Sequence, residues 1–429
     1  MKLTAHPSKL SGSVTIPGSK SHTIRALIFG LLAAGESRID RPLDSNDTRS
    51  CVEVCRQLGA DVDTSGSQRW RIRGVDGQPH VPDGPVDVGN SGTTLFLTMS
   101  AAAHCEKMVE FTGDEQTQNR DAGPLLRALA ELGATAYSRR DDGCAPLVVG
   151  GGLTGGSVSI ECPTSQYLSS LLVGYPLATN ETDITAPLLH EKPYVRMTCQ
   201  WLDELGIQYE CEETLQRFKI PGRQSYPAFK RAIPGDFSSA TFFLVAAAIT
   251  GSELQLYGLD VTDSQGDKAV IGMLERMGCE IGVTESGLRI QGPDRLMGAV
   301  FDLNATPDAL PAMAVAGCVA EGTTELTNVP QARLKETDRL EVMNRELGKM
   351  GANIEEKADG LVIQGGQLSG AELDGHSDHR VIMALSIAGL AAEGQTTVNS
   401  AEAVAITFPT FPELMRDVGA EIITNKGVR

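Results

Sequence analysis

The segment Val270-Ile271-Gly272-Met273-Leu274-Glu275-Arg276-Met277-Gly278 combines a helical pattern with a glycine stop. Its apolar residues have the i, i+3, i+4, i+7 spacing of one helix face, at Val270, Met273, Leu274 and Met277. Glycine at the end suits the left-handed residue that terminates a helix. The same apolar-Gly ending occurs six times, at Leu58-Gly59, Leu132-Gly133, Leu205-Gly206, Met277-Gly278, Met350-Gly351 and Val418-Gly419. These glycines are 74, 73, 72, 73 and 68 residues apart, which predicts six structural repeats.

A second type of predicted helix consists mainly of small and apolar residues. It directly follows polar residues that can cap its N-terminus. The predicted helices are 24–29 behind Ser19 and Ser21, 94–99 behind Asn90 and Ser91, 167–173 behind Thr164 and Ser165, 239–248 behind Asp236, 309–315 behind Thr306 and Asp308, and 381–387 behind Asp378. Helices this apolar are expected to be buried. If the repeats are arranged alike, these N-termini point the same way, and their free N–H groups form an anion site.

Each predicted repeat runs strand, helix, strand, helix, strand, strand, which indicates an α/β fold. Five repeats end in two short strands around a polar turn, such as 280–283 with 288–290, and the sixth is cut short at 422–423. We group the repeats into two lobes of three, with a cleft and two crossing strands as hinge. Lobe one is discontinuous and comprises 1–15 and 232–429, and lobe two comprises 16–231. A single solenoid is less favoured, because the terminal repeats lack polar caps.

The composition of the 429 residues is that of an ordinary globular protein, with 41% hydrophobic residues and a net charge of -18. That charge argues against nucleic acid and anionic membranes as partners. Nine scattered cysteines form no C-x-x-C pair, so we expect no zinc site. Scattered thiols of this kind are typical of a protein in a reducing compartment. The N-terminus has no signal-peptide core, and no apolar run reaches the length of a membrane span. We therefore expect a cytoplasmic protein.

The charged stretch Arg333-Leu334-Lys335-Glu336-Thr337-Asp338-Arg339 has three basic and two acidic residues before an amphipathic run over 340–350. Such a stretch at a helix start can hold an anion and keep a carboxylate beside it, although a solvated helix start with local ion pairs is the simpler interpretation. Other candidate anion-binding residues also have simple structural interpretations. The segment 16–21 resembles a phosphate loop but lacks the P-loop pattern, and Arg120 alone fits a solvated loop.

Common catalytic signatures are missing from the sequence. The run 150–155 matches G-x-G-x-x-G, but a strand-like segment follows it, so a dinucleotide site is rejected. Neither G-x-S-x-G nor H-E-x-x-H occurs. His376, Asp378 and His379 are more simply a helix start than a metal site. No metal or cofactor is expected.

Six basic residues, most of them beside predicted helix starts, are spread over both lobes: Lys20, Arg25, Arg120, Lys335, Arg339 and Arg380. An acidic protein with this set is expected to bind a small anion carrying phosphate and carboxylate groups. Asp308 and Glu336 supply carboxylates for proton transfer. The residues alone lead to anionic substrates and acid–base chemistry.

Taken together, eight motifs between Lys9 and Asp417 resemble those of the enolpyruvyl transferase family, in its branch that acts on shikimate 3-phosphate. They are Pro-Gly-Ser-Lys-Ser (17–21), Gly-Asn-Ser-Gly-Thr (89–93), Thr-Ser-Gln (164–166), Lys-Pro-Tyr (192–194), Gly-Asp-Phe-Ser-Ser-Ala (235–240), Pro-Asp-Ala (307–309), Lys-Glu-Thr-Asp-Arg (335–339) and Asp-His-Arg (378–380). The resemblance implies a two-lobed inside-out α/β barrel of six βαβαββ-type repeats, three per lobe. It also implies transfer of the carboxyvinyl group of phosphoenolpyruvate to the 5-hydroxyl of shikimate 3-phosphate, with two lobes closing over both substrates. We expect a monomer.

The resemblance also implies roles for individual residues. The shikimate 3-phosphate site would comprise Lys20, Ser21, Arg25, Thr164, Ser165, Tyr194, Asp308, Gln331 and Lys335, with Thr164 and Ser165 on the phosphate. The phosphoenolpyruvate site would comprise Lys20, Asn90, Gly92, Arg120, Gln166, Arg339 and Arg380, with the two C-terminal arginines on its carboxylate. Asp308 would be the base at the 5-hydroxyl and Glu336 the acid at the methylene, with Lys20 and Lys335 in the catalytic set.

Four positions depart from the family pattern. Phe96 and Ile406 stand where an arginine and a lysine are common, and Gln331 and Glu191 stand where an asparagine and a serine are common. One rival function is enolpyruvyl transfer to UDP-N-acetylglucosamine, whose enzymes carry a reactive cysteine that neither Cys105 nor Cys144 matches by motif. A non-catalytic paralogue that binds anionic metabolites is the other.

Overall fold

Helices of two kinds alternate along the chain. The computed structural model describes residues 1–284 and 287–425. The α-helices of this part are α1 (Lys20–Leu32), α2 (Asn46–Gln57), α3 (Gly92–Ala102), α4 (Gly123–Glu131), α5 (Ser165–Gly174), α6 (Lys192–Glu204), α7 (Phe237–Thr250), α8 (Val270–Arg276), α9 (Leu310–Val319), α10 (Arg339–Lys349), α11 (His379–Ala388) and α12 (Phe411–Asp417). The odd-numbered helices are buried along almost their whole length, whereas the even-numbered ones keep exposed polar residues. Burial of the small, apolar helices is therefore confirmed.

The glycine stops predicted from the sequence are confirmed. Each even-numbered helix is followed by a glycine whose φ lies between +73° and +107°: Gly59, Gly133, Gly206, Gly278, Gly351 and Gly419. Residues with a side chain adopt this left-handed region only at a steric cost. The periodic glycine thus ends each helix and turns the chain back toward a strand.

Short 3₁₀ helices correct two details of the sequence analysis. One covers Pro307–Ala309, so α9 begins at Leu310, and Ala309 rather than a polar residue occupies the cap position. Pro311 in the first turn has no N–H and leaves one donor fewer to cap. Another, Pro330–Leu334, includes the first two residues of the charged stretch, whose irregular part is therefore 335–338.

The strands, like the helices, recur in a regular order along the chain. In chain order they are β1 (Lys2–Ala5), β2 (Ser13–Thr15), β3 (Ala33–Ala34), β4 (Glu36–Asp40), β5 (Asp61–Gly66), β6 (Arg69–Arg73), β7 (Val86–Asp87), β8 (Val109–Thr112), β9 (Thr135–Ser138), β10 (Leu147–Gly150), β11 (Gly156–Ser159), β12 (Thr182–Thr185), β13 (Glu210–Cys211), β14 (Arg217–Ile220), β15 (Tyr226–Pro227), β16 (Lys230–Ala232), β17 (Glu253–Tyr257), β18 (Glu280–Thr284), β19 (Gly287–Gln291), β20 (Val300–Asp302), β21 (Thr323–Thr327), β22 (Asn353–Lys357), β23 (Gly360–Gln364), β24 (Glu372–Leu373), β25 (Thr396–Val398) and β26 (Ile422–Asn425).

Six four-stranded sheets share one topology, in which a parallel pair is followed by two antiparallel pairings. Their orders are β16-β4-β6-β5, β7-β8-β10-β9, β11-β12-β14-β13, β2-β17-β19-β18, β20-β21-β23-β22 and β24-β25-β1-β26. In the first of these sheets, Arg38 of β4 lies opposite Lys230 of the parallel β16 and opposite Arg71 of the antiparallel β6. The mixed α/β class expected from the sequence is confirmed.

The chain termini complete the last repeat. The sequence analysis found a single strand after the last helix, and β1 fills the missing position between β25 and β26. Leu3 of β1 lies opposite Val398 on one side and Thr424 on the other. The N-terminal strand therefore belongs to a sheet whose other members lie at the far end of the sequence.

The chain forms two compact units, each with its own hydrophobic core. The terminal unit comprises Met1–Pro17 and the chain from Pro234 onward, and the central unit comprises Gly18–Ile233. The boundaries predicted from the sequence lie two residues earlier, after 15 and after 231. In the described residues, every helix is too short or too polar to cross a membrane.

Candidate active site

In the central unit, the N-termini of three buried helices carry predicted site residues, and each is capped by a hydroxyl. Ser19, Ser91 and Thr164 are the N-cap residues of α1, α3 and α5. Their hydroxyl oxygens accept hydrogen bonds from N–H groups of the first helical turn. These caps were predicted from the sequence and are confirmed.

Helices α3 and α5 run side by side in the same direction. Near their starts, the Gln166 amide donates to the Thr93 hydroxyl at 3.4 Å. One turn further along, the Ser170 hydroxyl donates to the carbonyl of Phe96 at 2.5 Å. The two N-termini therefore lie at the same end, as the sequence predicted, and their N–H groups and dipoles attract anions to that end.

Arg25 is a buried cation among neutral acceptors. Its side chain is 2% exposed and donates to the hydroxyls of Thr198 at 3.0 Å and Ser169 at 3.5 Å. It also donates to the carbonyls of Ser21 at 3.1 Å and Tyr194 at 3.0 Å. Burial lowers the pKa of Arg25 to about 10, so the guanidinium stays charged at neutral pH. This group of the central unit therefore keeps a positive charge that its protein partners solvate without neutralising.

A second cation of the central unit lies at the first position of α1. Lys20 forms an ion pair of 3.1 Å with Asp47, whose side chain is 4% exposed. The Lys20 side chain itself is 15% exposed. It therefore combines a fixed orientation with access from solvent.

Arg120 lies against the start of α3, where only glycine leaves room for it. A Cβ atom on Gly92, the first residue of α3, would overlap the Arg120 guanidinium. Nearby, the Asn90 amide donates to Asp114 at 2.7 Å and to Gln116 at 2.6 Å. A guanidinium next to the positive end of a helix dipole makes a strong local site for an anion.

The start of α5 is occupied by a residue that the sequence analysis did not assign to the site. Glu191 accepts hydrogen bonds from Thr164 and Ser165, two of the residues predicted to bind phosphate. Its replacement of a common serine was noted in the sequence, but no local pattern indicated this contact.

In the terminal unit, Arg339 joins three carboxylates. Its side chain is 1% exposed and lies 2.8 Å from Asp308, 2.6 Å from Glu336 and 2.8 Å from Asp378. Burial alone would lower the pKa of Arg339, but the three negative charges outweigh burial and raise it. The predicted acid and base are thereby fixed on one guanidinium.

Asp378 has two functions, of which the sequence predicted one. As the N-cap of α11 it accepts hydrogen bonds from the N–H groups of Arg380 at 2.9 Å and Val381 at 3.4 Å. It also binds Arg339, which the sequence did not indicate. Arg380 in turn contacts the second oxygen of Asp308 at 2.9 Å. Both oxygens of Asp308 are thus paired with guanidinium groups.

A further buried carboxyl, Asp267, was missed by the sequence analysis. It is 2% exposed and accepts hydrogen bonds from the hydroxyls of Ser238 and Thr306, at the starts of α7 and the 3₁₀ helix before α9. Burial, followed by the negative charge of Asp308, raises the pKa of Asp267. Asp267 therefore links these two helix starts and lies within electrostatic reach of the predicted base.

Gln331 lies in the 3₁₀ helix Pro330–Leu334, and Lys335 follows that helix. Gln331 is 2% exposed, and its amide nitrogen donates to the Asn304 carbonyl at 2.9 Å. Its carbonyl oxygen is buried and accepts no hydrogen bond from the described residues. Such an acceptor suits a ligand hydroxyl. Lys335 is the half-buried residue directly after this helix.

Apolar contacts surround both residues that replace common basic ones. Phe96 is buried in α3 with its ring edge-on to Tyr167, at 5.2 Å between centroids. Ile406, at the end of the 3₁₀ helix Ala401–Ile406, packs against the core of the terminal unit. Neither position offers a charge to a ligand. The described residues include no group of His, Cys, Asp and Glu arranged to hold a metal ion, and His376 contacts Glu346 instead.

Comparison with known proteins agrees with these motifs. A family model described as EPSP synthase (3-phosphoshikimate 1-carboxyvinyltransferase) matches residues 4–415. The chain belongs to the EPSP synthase family. A relative from Acetivibrio thermocellus named 3-phosphoshikimate 1-carboxyvinyltransferase is 52% identical over 99% of this chain and 100% of its own. A relative of the same name from Ruminiclostridium cellulolyticum is 49% identical over 98% and 99%.

A solved structure supports membership of the EPSP synthase family at the level of the fold. An EPSP synthase from Acinetobacter baumannii superposes with a TM-score of 0.82 at 28% identity, covering 99% of this chain and 100% of its own. The rival cysteine-dependent function gains nothing from the structure. Cys105 is buried, and burial raises the pKa of its thiol to about 11, so it is a poor nucleophile at neutral pH.

Proposed function

We propose that the protein transfers the carboxyvinyl group of phosphoenolpyruvate to the 5-hydroxyl of shikimate 3-phosphate and releases phosphate. The observation that carries this proposal is that Asp308 and Glu336 form ion pairs with the same buried guanidinium, that of Arg339. Addition across a carbon–carbon double bond needs one group to take a proton and another to give one. Family membership and relatives named for this reaction support the same assignment.

The terminal unit is proposed to carry the proton transfers. Asp308 takes the proton of the 5-hydroxyl while the hydroxyl oxygen attacks C2 of phosphoenolpyruvate. Glu336, which enters this step in its protonated form, delivers its carboxyl proton to the C3 methylene. In the resulting tetrahedral intermediate, C2 bears the new ether oxygen and the phosphate. Loss of a C3 proton, with Glu336 as acceptor, and departure of phosphate then restore the double bond. Ion pairing with Arg339 and Arg380 orients the carboxylate of Asp308 for its role.

The central unit is proposed to bind the anionic groups. Lys20, Ser21, Arg25, Thr164, Ser165 and Tyr194 are assigned to shikimate 3-phosphate, with Thr164 and Ser165 at its phosphate. Lys20, Asn90, Gly92, Arg120 and Gln166 are assigned to the phosphate end of phosphoenolpyruvate. Arg25 supports this division because its hydrogen-bond acceptors within residues 1–284 and 287–425 are all neutral. Gln331 and Lys335 of the terminal unit are assigned to the acceptor, with the free carbonyl of Gln331 as a partner for a ring hydroxyl.

The carboxylate of phosphoenolpyruvate is assigned mainly to Arg380. Arg339 already makes four hydrogen bonds to Asp308, Glu336 and Asp378. A guanidinium has five N–H donors, so Arg339 has one left for a ligand. The two arginines therefore have different proposed roles, in which Arg380 contacts the substrate carboxylate and Arg339 chiefly orients the acid and the base.

Phosphate release from phosphoenolpyruvate tests the proposal directly. Shikimate 3-phosphate and UDP-N-acetylglucosamine are supplied as separate acceptors, with EDTA present. Release with shikimate 3-phosphate alone is the expected result. Release with UDP-N-acetylglucosamine alone would assign the sister reaction, and release with neither, from folded protein, would indicate a protein that only binds these anions.

A further inference from the structure

Glu191 occupies the hydrogen-bond donors at the start of α5. A single carboxylate oxygen, Oε2, accepts from the Ser165 N–H at 3.2 Å, the Ser165 hydroxyl at 2.8 Å and the Thr164 hydroxyl at 3.3 Å. Glu191 is 2% exposed. The carboxylate thus takes the place that an anion would take at this helix N-terminus, with backbone and hydroxyl donors converging on one oxygen.

The backbone of Glu191 holds this side chain in place from the neighbouring helix. Glu191 is the N-cap residue of α6 and has φ 56° and ψ 39°, a left-handed conformation that costs a residue with a side chain about 1 kcal/mol. Its carbonyl accepts a hydrogen bond from the Tyr194 N–H at 3.0 Å. The main chain is therefore anchored independently of the carboxylate.

We infer that the Glu191 carboxylate is an internal occupant of the acceptor's phosphate subsite, which the phosphate of shikimate 3-phosphate must displace. The inference rests on the proposed function, which assigns Thr164 and Ser165 to that phosphate. Each of the three donors has one hydrogen and cannot serve a carboxylate and a phosphate at the same time. The two anions also repel each other at hydrogen-bond distance.

Displacement favours phosphate over weaker anions. A phosphate has three acceptor oxygens and nearly two negative charges, so it binds the same donors more strongly than a carboxylate does. It can also interact with the buried charge of Arg25, whose acceptors in the described part of the chain are hydroxyls and carbonyls. Glu191 therefore weakens binding of every ligand that needs this subsite and makes occupation of the subsite depend on a strong anion. A serine at position 191 would leave the donors open.

Substitution of Glu191 tests the displacement. We compare the wild type with Glu191→Ser, which removes the competing acceptor, and Glu191→Gln, which keeps its shape without the charge. Glu161→Ser is the matched control, because Glu161 is exposed and precedes α5 by four residues. Calorimetric binding of shikimate 3-phosphate and of shikimate is measured for each protein, together with the KM of both substrates.

We expect Glu191→Ser to bind shikimate 3-phosphate about tenfold more tightly, and Glu191→Gln about threefold. Binding of unphosphorylated shikimate and the KM for phosphoenolpyruvate should change less than twofold, as should every constant of Glu161→Ser. If Glu191 served only as a structural cap, its substitution would instead weaken the binding of shikimate 3-phosphate and of shikimate alike. Unchanged or weaker binding of shikimate 3-phosphate in both Glu191 variants would overturn the inference.

The proposed function and this inference fail in different ways. If the wild type forms no product, the proposed function is wrong, whatever the variants do. Inorganic phosphate then serves as the probe, and Glu191→Ser should still bind it about tenfold more tightly than the wild type. If Glu191→Ser does not fold, the threefold effect expected for Glu191→Gln decides the question.

Discussion

Two buried arginines, Arg25 in the central unit and Arg339 in the terminal unit, have opposite surroundings. Among the described residues, Arg25 donates only to hydroxyls and carbonyls, and burial lowers its pKa to about 10. Arg339 pairs with three carboxylates, which raise its pKa despite equal burial. A desolvated charge without a counter-charge is costly and favours binding of an anion. A neutralised charge is suited to holding other groups in position.

The contrast separates binding from chemistry. In the central unit, helix N-termini, Arg25, Lys20 and Arg120 provide positive potential for anionic groups. In the terminal unit, Arg339 and Arg380 are largely committed to Asp308 and its neighbours. Substitutions in the central unit should therefore act mainly on substrate affinity, and those in the terminal unit mainly on turnover and folding.

The largest effect is expected for Glu336→Gln. The amide cannot deliver a proton to the methylene, so kcat should fall by about a thousandfold. Binding of shikimate 3-phosphate should stay within threefold of the wild type, because the residues proposed to bind its phosphate lie in the central unit. Steady-state kinetics and calorimetry measure the two quantities. Near-normal turnover would remove Glu336 as the acid.

Replacing each arginine by glutamine should separate the two environments in stability. Arg339→Gln leaves three carboxylates without their shared counter-charge, and the free energy of unfolding should fall by about 3 kcal/mol. Arg25→Gln removes a desolvated charge that has neutral partners, so its effect should be within about 1 kcal/mol. Urea unfolding of both variants gives the comparison, and equal losses would contradict it.

Gly92→Ala should weaken phosphoenolpyruvate binding about tenfold by pushing the Arg120 guanidinium away from the start of α3. The KM for shikimate 3-phosphate should change less than twofold, and kcat only slightly. Gly272→Ala is the control, because a Cβ there meets no atom. An equal rise in both KM values would indicate a general distortion of the central unit instead.

The smallest effect concerns acid stability of the terminal unit. Burial opposes ionisation of Glu346, but hydrogen bonds from Lys349, His376 and the Asp374 N–H outweigh it and lower its pKa to about 2. A depressed carboxyl pKa stabilises the fold above the unfolded-state value and loses that contribution as the pH falls toward 2. Glu346→Gln should therefore reduce the pH dependence of unfolding between pH 5 and pH 3 by about 1 kcal/mol. Thermal melts across this range would show parallel curves if the pairing were unimportant.

Local patterns explain what could be predicted. The periodic apolar positions, the glycine stops and most polar caps depend on residues within a few positions of each other, and so the helices were predictable one by one. The caps Ser19, Thr164 and Asp378 are examples. The expected polar cap before α9 was wrong, because the proline-rich start of that helix forms a 3₁₀ turn first.

Other features could not be predicted, because they depend on contacts between residues that are far apart in the sequence. Arg339 meets Asp308 and Asp378 across 31 and 39 positions, and no spacing in the sequence indicates that pairing. Glu191 reaches Ser165 from another helix, and Asp267 links two helix starts. The partners of a polar side chain depend on how the helices pack, so the residue types predicted the chemistry without its geometry.

The sequence by itself determined six repeats, their α/β order, the buried helices and the identity of the charged residues, because each of these follows from composition and short-range periodicity. Tertiary structure alone determined which charged side chains pair with opposite charges and which have neutral partners. It also placed β1 in the last sheet, beside strands from the other end of the chain. Electrostatic pairing and strand register act through space, so neither leaves a periodic signal along the chain.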